Sequence, residues 1–230
     1  MARGPLYELS LNSPRKTMCG DIDHYHGTPN GEDEFILDTP KIRDFIAHAR
    51  EQITLSNSPE EACAAIEPQF ADLMDNDEWL PEEYQQNAPE SGMGMGIGQW
   101  LLFRSGDGSL ALFSLVVPPQ AQTPIHNHLA WGLVGLYRGT QHDEVYIHTD
   151  QFTHFSHEQA LTPGDFYSLI PPDGDIHRVK TTSDITSVSI HLLTNDTGCI
   201  WRQRFEPESK EVKPFRSGYV NAECMNEQAE

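Results

Sequence analysis

Eleven histidines are spread over 230 residues, and one group has the spacing of a metal site. His126-Asn127-His128 follows Thr123-Pro124 and precedes an apolar run, Ala130–Tyr137. In an extended chain, residues two apart point to the same side, so both imidazoles can converge on one ion. A buried neutral pair without a metal would need other hydrogen-bond partners. The third ligand is expected from a strand brought alongside. His177 is the candidate, at the start of an alternating run after Pro163-Gly164-Asp165 and beside Asp175. Imidazoles favour iron, copper, zinc and nickel over magnesium or calcium. Three neutral ligands leave the 2+ charge of such an ion uncompensated, which favours an anionic ligand at its open face.

The other histidines read as bystanders. His24-x-His26 has metal-like spacing but lies in a stretch without any period. His48 falls among helix residues and is expected to be exposed. His142, His148, His154 and His157 fall in or near a polar hairpin. The run Met93-Gly94-Met95-Gly96-Ile97-Gly98 resembles a phosphate loop only superficially, because no Lys-Ser/Thr follows it.

The elements that must position the histidines change character along the chain. Residues 1–37 are rich in Gly, Pro, Asn and Asp and read as an irregular arm. Two helices follow. Asp38 or Thr39 can cap the first, Pro40 suits its first turn, and Ile42, Phe45, Ile46, Ala49 and Ile53 form one apolar stripe. Ser58-Pro59-Glu60-Glu61 is a capping box for the second, and Pro68 is expected to break it near its middle. Residues 75–98 read as a loop. From Gln99 onward, short apolar or alternating runs are separated by turn residues, which predicts a sandwich or small barrel. The tail after Phe205 is polar apart from Pro214–Tyr219, an aromatic patch that can dock on the barrel. The reading is one domain in three parts: arm and helices (1–95), barrel (96–206) and tail (207–230).

Composition excludes several classes. There are 35 acidic and 15 basic residues, a formal net charge of -20. The first hundred residues hold 19 of the acids and 6 of the bases. So acidic a surface disfavours nucleic acid and anionic membranes. No stretch approaches ~18 uninterrupted apolar residues, so no membrane-spanning helix is expected. The N-terminus is too polar for a signal core. Cys19, Cys63, Cys199 and Cys224 are far apart and form no CxxC, so reduced thiols and a cytoplasmic location are expected.

HxH, a Gly at a strand end, Pro-Gly-Asp and a lone His together resemble the two-part signature of the cupin barrel. The fold this implies is mainly β: a jelly-roll-like double-stranded β-helix with an N-terminal helical segment. Counting from His128, Gly132 stands where the general pattern has a glutamate ligand. That departure resembles the cysteine dioxygenase family of thiol dioxygenases. TPIHNHLAWGLVGLYRGTQHDEVY is similar to its bacterial branch, above all the 3-mercaptopropionate dioxygenases, with Asn127 in place of the usual Asp. The match spans roughly residues 97–206.

The resemblance implies an Fe(II) site at His126, His128 and His177, with a small mercapto-carboxylate and O2 as reactants. It implies an outer pair, Ser189 and His191, that orients groups at the metal. Arg202 falls where the mercaptopropionate branch binds the substrate carboxylate, and Gln99 where that branch has Gln and the cysteine branch Arg. A surface salt bridge for Arg202 and a strand-edge position for Gln99 are the simpler alternatives. Leu193 departs from the family, which has Tyr there; Tyr137, Tyr167 and Tyr219 are other possible hydroxyl donors. No Cys lies close after His128, so a Cys–Tyr cross-link is not expected. Two other functions fit the same three histidines: a dioxygenase acting on a non-thiol such as a β-diketone, and a catalytically silent metal-binding cupin.

Overall fold

The computed structural model describes residues 31–75, 78–172 and 174–224. Cys19, the His24-x-His26 pair and most of the N-terminal arm lie outside these described residues. The arm's described end is not wholly irregular, because β1 (Glu34–Phe35) pairs with the barrel. Helices α1 (Pro40–Leu55) and α2 (Pro59–Met74) follow. Then come β2 (Gly98–Arg104), β3 (Ala111–Val117), β4 (Ile125–His126), β5 (Gly132–Arg138), β6 (Gln141–His148) and β7 (Thr153–Leu161). The chain continues through β8 (Phe166–Leu169), β9 (His177–Thr181), β10 (Ser187–Leu193), β11 (Arg202–Phe205) and β12 (Val212–Phe215). One sheet has the order β1-β2-β3-β10-β5-β8 and the other β12-β11-β4-β9-β6-β7. Neighbouring strands run antiparallel. This is the mainly β, double-stranded β-helix architecture, with two helices ahead of it.

The helices explain why the barrel strands read as continuous apolar runs. Ile42, Phe45, Ile46 and Ala49 of α1, with Cys63, Ile66, Phe70, Leu73 and Met74 of α2, pack on Leu112, Leu133, Val188, Ile190 and Leu192. They cover the outer face of the first sheet. Its central strands β3 and β10 are therefore buried on both faces, and all seven residues of each are buried. A strand covered on both sides loses the alternation that a half-exposed strand shows. The residues of β10 between the helix-facing ones, Ser189, His191 and Leu193, turn to the barrel interior.

Local chemistry starts both helices as read, and the differences have physical causes. Thr39 Oγ1 accepts from Ile42 N at 3.3 Å, and Ser58 Oγ accepts from Glu61 N at 3.2 Å. Glu61 closes its half of the box on Asn57 N, one residue earlier than the standard pattern. Pro68 does not break α2. It lacks the N–H owed to the preceding turn, but buried side chains on both sides of it hold the helix to the sheet. His48 is half-buried, with Nε2 3.3 Å from the Ala65 carbonyl, because it lies in the seam between the helices. The loop between α2 and β2 contains one short 3-10 turn, Glu82–Gln85.

The tail folds back, and this corrects the expectation of reduced thiols. Cys199 and Cys224 are joined in a disulfide. They are 25 residues apart in sequence, but β12 pairs with β11 and the following segment returns along the barrel. Their Cα atoms come within 5.2 Å, well inside disulfide reach. Cys63 remains a thiol, buried under α2, and burial pushes its pKa up to about 11. Among the described residues, no helix is long and apolar enough to cross a membrane.

Candidate metal centre

His126 ends β4 and stands directly across from His177, the first residue of β9. His128 lies beyond the end of β4, so it is not a strand residue; the chain turns at Leu129, where φ is 54°. Convergence of the HxH pair therefore comes from anchoring as well as alternation. His128 N donates to Asp175 Oδ1 at 2.8 Å, and its Nδ1 lies 3.1 Å from the same oxygen. The three rings stand 4.7–5.0 Å apart between centroids, and one nitrogen of each lies within 4.8 Å of the others.

The outer nitrogens settle which atom each ring offers. His126 Nδ1 is 2.8 Å from the Pro124 carbonyl. His128 Nδ1 faces Asp175, and His177 Nδ1 is 2.8 Å from Asp143 Oδ1. With Nδ1–H donated outward, His126 and His128 each keep the Nε2 lone pair for the centre, while His177 Nδ1 is in close contact with Asp143 and leaves Nε2 on its other side. His177 Nε2 is buried and has no hydrogen-bond partner among the described residues. A metal ion would relieve that orphaned atom, so the donor set fits one. Burial first, then the neighbouring histidines and Arg202, hold His126 well below the ordinary imidazole range. Burial, His177 and Arg202 do the same to His128. Both are thus unprotonated at neutral pH, as ligation requires.

Two aspartates and a tyrosine complete the support. Burial would raise Asp143, but the close contact with His177 and the Tyr167 hydroxyl outweigh it and hold the carboxyl low. Tyr167 donates to the other Asp143 oxygen. Such carboxylate–histidine contacts fix the ring and strengthen the ligand, and losing one typically costs 10–100-fold in metal affinity. Asp143→Asn keeps the size and loses the charge. It is expected to weaken metal binding by about that factor, measured by competition with a chelator; unchanged affinity would remove Asp143 from the centre.

Gly132 explains the missing glutamate. A Cβ there would lie 1.9 Å from the Leu192 carbonyl oxygen on the paired strand β10. No side chain fits at that position, so a fourth protein ligand is excluded there by backbone approach.

A cavity of about 10 Å³ fronts His126 and His128, lined also by Gln99, Phe113, His191 and Arg202, and by Met93, Leu115, Thr123 and Thr197. Gln99 comes from β2, His191 from β10 and Arg202 from β11, so both sheets contribute. Ser189 Oγ is 3.1 Å from His191 Nε2, and the His191 ring stacks on Phe113 at 4.8 Å. Burial, His177 and Arg202 depress His191 to about 3, so it remains neutral, and its buried Nδ1 has no partner among the described residues. Arg202 is 3% exposed; its Nη1 donates to the Asn127 carbonyl and Nη2 to Ser217 Oγ, each at 2.8 Å. Arg202 Nε, Gln99 Nε2 and Thr197 Oγ1 are buried without partners among the described residues. Arg202 is therefore no surface salt bridge, and Gln99 no exposed strand edge. Burial lowers the guanidinium to about 10, so it is still charged at neutral pH.

None of the three tyrosine hydroxyls weighed as replacements at position 193 lines this cavity. Tyr167 serves Asp143, and Tyr219 donates to Asp196 at 2.8 Å. Tyr137 packs edge-on to Trp79 beneath the helices. Leu193 itself is fully buried against Ala111, Phe113 and Ala130, with Tyr219 beside it. Leu193→Tyr would overpack this cluster, at about 1–3 kcal/mol. A fall in Tm of about 3–10 °C is expected in a chain of this size, and calorimetry showing none would mean the cluster has slack.

Sequence reasoning missed Asp143 and Thr197, offered Tyr167 only as a hydroxyl donor in place of a residue at 193, and noted Met93 only within a Gly-rich run. Asp143 has a faint signal, an acid placed inward in the alternating strand Gln141–His148. Thr197 and Met93 have none, because both stand on irregular segments.

No family model matches the sequence. Among solved structures, a cupin 2 domain-containing protein from Halorhodospira halophila is similar at 17% identity and a TM-score of 0.35, covering 48% of this chain and 69% of that one. A double-stranded β-helix protein from Klebsiella pneumoniae has 11% identity and a TM-score of 0.38, over 50% and 81%. An oxalate oxidase has 12% identity and a TM-score of 0.33; this chain covers 43% of its length, with 39% of its own residues. What places this chain among double-stranded β-helix proteins is its own topology.

Proposed function

We propose that the protein is an Fe(II)-dependent thiol dioxygenase that converts a small mercapto-carboxylate, 3-mercaptopropionate-like or cysteine-like, to its sulfinate. The reaction is RSH + O2 → RSO2H, so both oxygen atoms end on sulfur and no further reductant is needed. The observation that carries this reading is the joint lining of one small cavity by two of the three clustered histidines, His126 and His128, and by a buried, charged Arg202 with an unpartnered Nε. Iron would supply the redox chemistry that activates O2 beside the thiolate; zinc could not.

The chain's own residues do the rest. His126, His128 and His177 would hold the ion, oriented by Pro124, Asp175 and Asp143. Arg202 would take the carboxylate through Nε and a neighbouring N–H, already aimed by Asn127 and Ser217. Gln99 Nε2 and Thr197 Oγ1 would donate to the same oxygens. His191, neutral and fixed by Ser189 and Phe113, would place its Nδ1 against the bound reactants. Packing by Phe113 and Leu115 excludes water, which strengthens every polar contact inside.

The test is oxygen uptake by the Fe(II)-loaded protein with 3-mercaptopropionate, cysteine, cysteamine and mercaptosuccinate. Sulfinate equal to the oxygen consumed is expected with at least one acidic thiol. Uptake with a β-diketone and none with any thiol would transfer the site to the non-thiol reading.

A further inference from the structure

The metal cavity has room for about one water-sized centre, yet it does not end the accessible space. A vestibule of about 700 Å³ adjoins it. Met93 and Gln99 line both spaces, so they form the partition between them. Any ligand larger than a water that reaches the histidines must cross that partition or displace it. Met93 sits half-buried on the segment where Gly94, Met95 and Gly96 all have positive φ. Its unbranched thioether side chain can adopt several shapes at little cost.

The vestibule walls have a definite chemistry. Trp100 Nε1 donates to the Gln86 carbonyl at 2.9 Å, and the Tyr219 hydroxyl is held by Asp196. Both rings have spent their polar atoms elsewhere and offer aromatic surface. Among the described residues, Glu90 is the one acid on the lining, and no Lys, Arg or His stands there. An uncharged arm suits these walls and a second carboxylate does not.

We propose that the vestibule is a binding subsite for an uncharged, aromatic arm carried by the acid that occupies the metal cavity, with Met93 setting how far the arm and the acid can be engaged together. The substrate class is then a mercapto-acid substituted next to its carboxylate. The proposal rests on the mercapto-acid reading for the ligand's other end.

Anaerobic calorimetric titration of the metal-loaded full chain separates the two ideas, because it needs no turnover. The probes are 3-mercaptopropionate, 2-benzyl-3-mercaptopropionate and mercaptosuccinate, with propionate and 3-phenylpropionate as a pair without sulfur. At least tenfold tighter binding is expected for the aromatic member of each pair, and no gain for mercaptosuccinate over 3-mercaptopropionate. Met93→Ala should raise the aromatic preference at least threefold, and Met93→Trp should lower it as much. Aromatic preference in the sulfur-free pair with no thiol binding would sink the thiol reading and keep the subsite. Thiol binding with no aromatic preference, or no binding by any probe, would overturn the subsite. A preference unmoved by either Met93 change would overturn the role of Met93.

Discussion

His177→Ala is expected to take the metal content of the purified protein from about one ion per chain to below about a tenth of that, since each ligand of a three-residue site supplies a large share of its affinity. The geometry makes this replacement more damaging than loss of a solvated ligand. His177 is 1% exposed, sits in register with His126, and is tied to Asp143 through its outer nitrogen. Alanine removes the donor and also leaves Asp143 as a buried carboxylate without its main partner, which is costly in itself. His24→Ala and His142→Ala serve as controls and should leave metal content unchanged. Elemental analysis reads all three, and metal retained at the wild-type level in His177→Ala would refute the centre.

The second large effect is on substrate choice. Arg202→Ala should lower kcat/KM for 3-mercaptopropionate by roughly 10- to 100-fold, because a hydrogen bond to a charged group is worth about 1.5–3 kcal/mol. Among the described residues no carboxylate forms an ion pair with Arg202, although it is buried and charged. The charge of Asp175 acts on it from a distance and the Phe215 ring lies 5.0 Å away, but a direct carboxylate partner is left for a ligand to supply. Arg202→Lys keeps the charge but loses the planar fork, so it should recover only part of the loss. Cysteamine, which lacks the carboxylate, should respond little to either change. Equal losses for both thiols would show that Arg202 acts by holding Asn127 and Ser217 in place, and the acid would no longer be part of the substrate class.

The parts of this site that could be read from sequence share one property: their spacing along the chain is short or their strand is regular. His126 and His128 are two apart, Ser189 and His191 are two apart, and His177 opens an alternating run. Helix starts were equally legible, because a cap oxygen and the N–H that donates to it are three residues apart. What escaped depends on contacts between distant segments. The stand-off of Gly132 from Leu192 is such a contact, as is the reach of Asp143 to His177. Pro68 shows the limit of local rules: intrinsic propensity argued for a break, and packing of α2 on the sheet decided otherwise.

The Cys199–Cys224 bond closes a loop of 25 residues, worth about 3.5 kcal/mol by loop-closure entropy. It also fastens the segment that carries Ser217 against Arg202 and Tyr219 along the vestibule. A thiol that serves as substrate is also a reductant, able to open a disulfide by exchange wherever a sulfur can be approached. Cys199 is 4% exposed, while Cys224 is only partly covered, so attack is restricted to one end. If the substrate is the proposed thiol, prolonged exposure to it at high concentration would loosen the fastening of the vestibule wall, and progress curves would bend for a reason unrelated to substrate depletion. The concentration chosen for an assay is in this protein also a choice of covalent state.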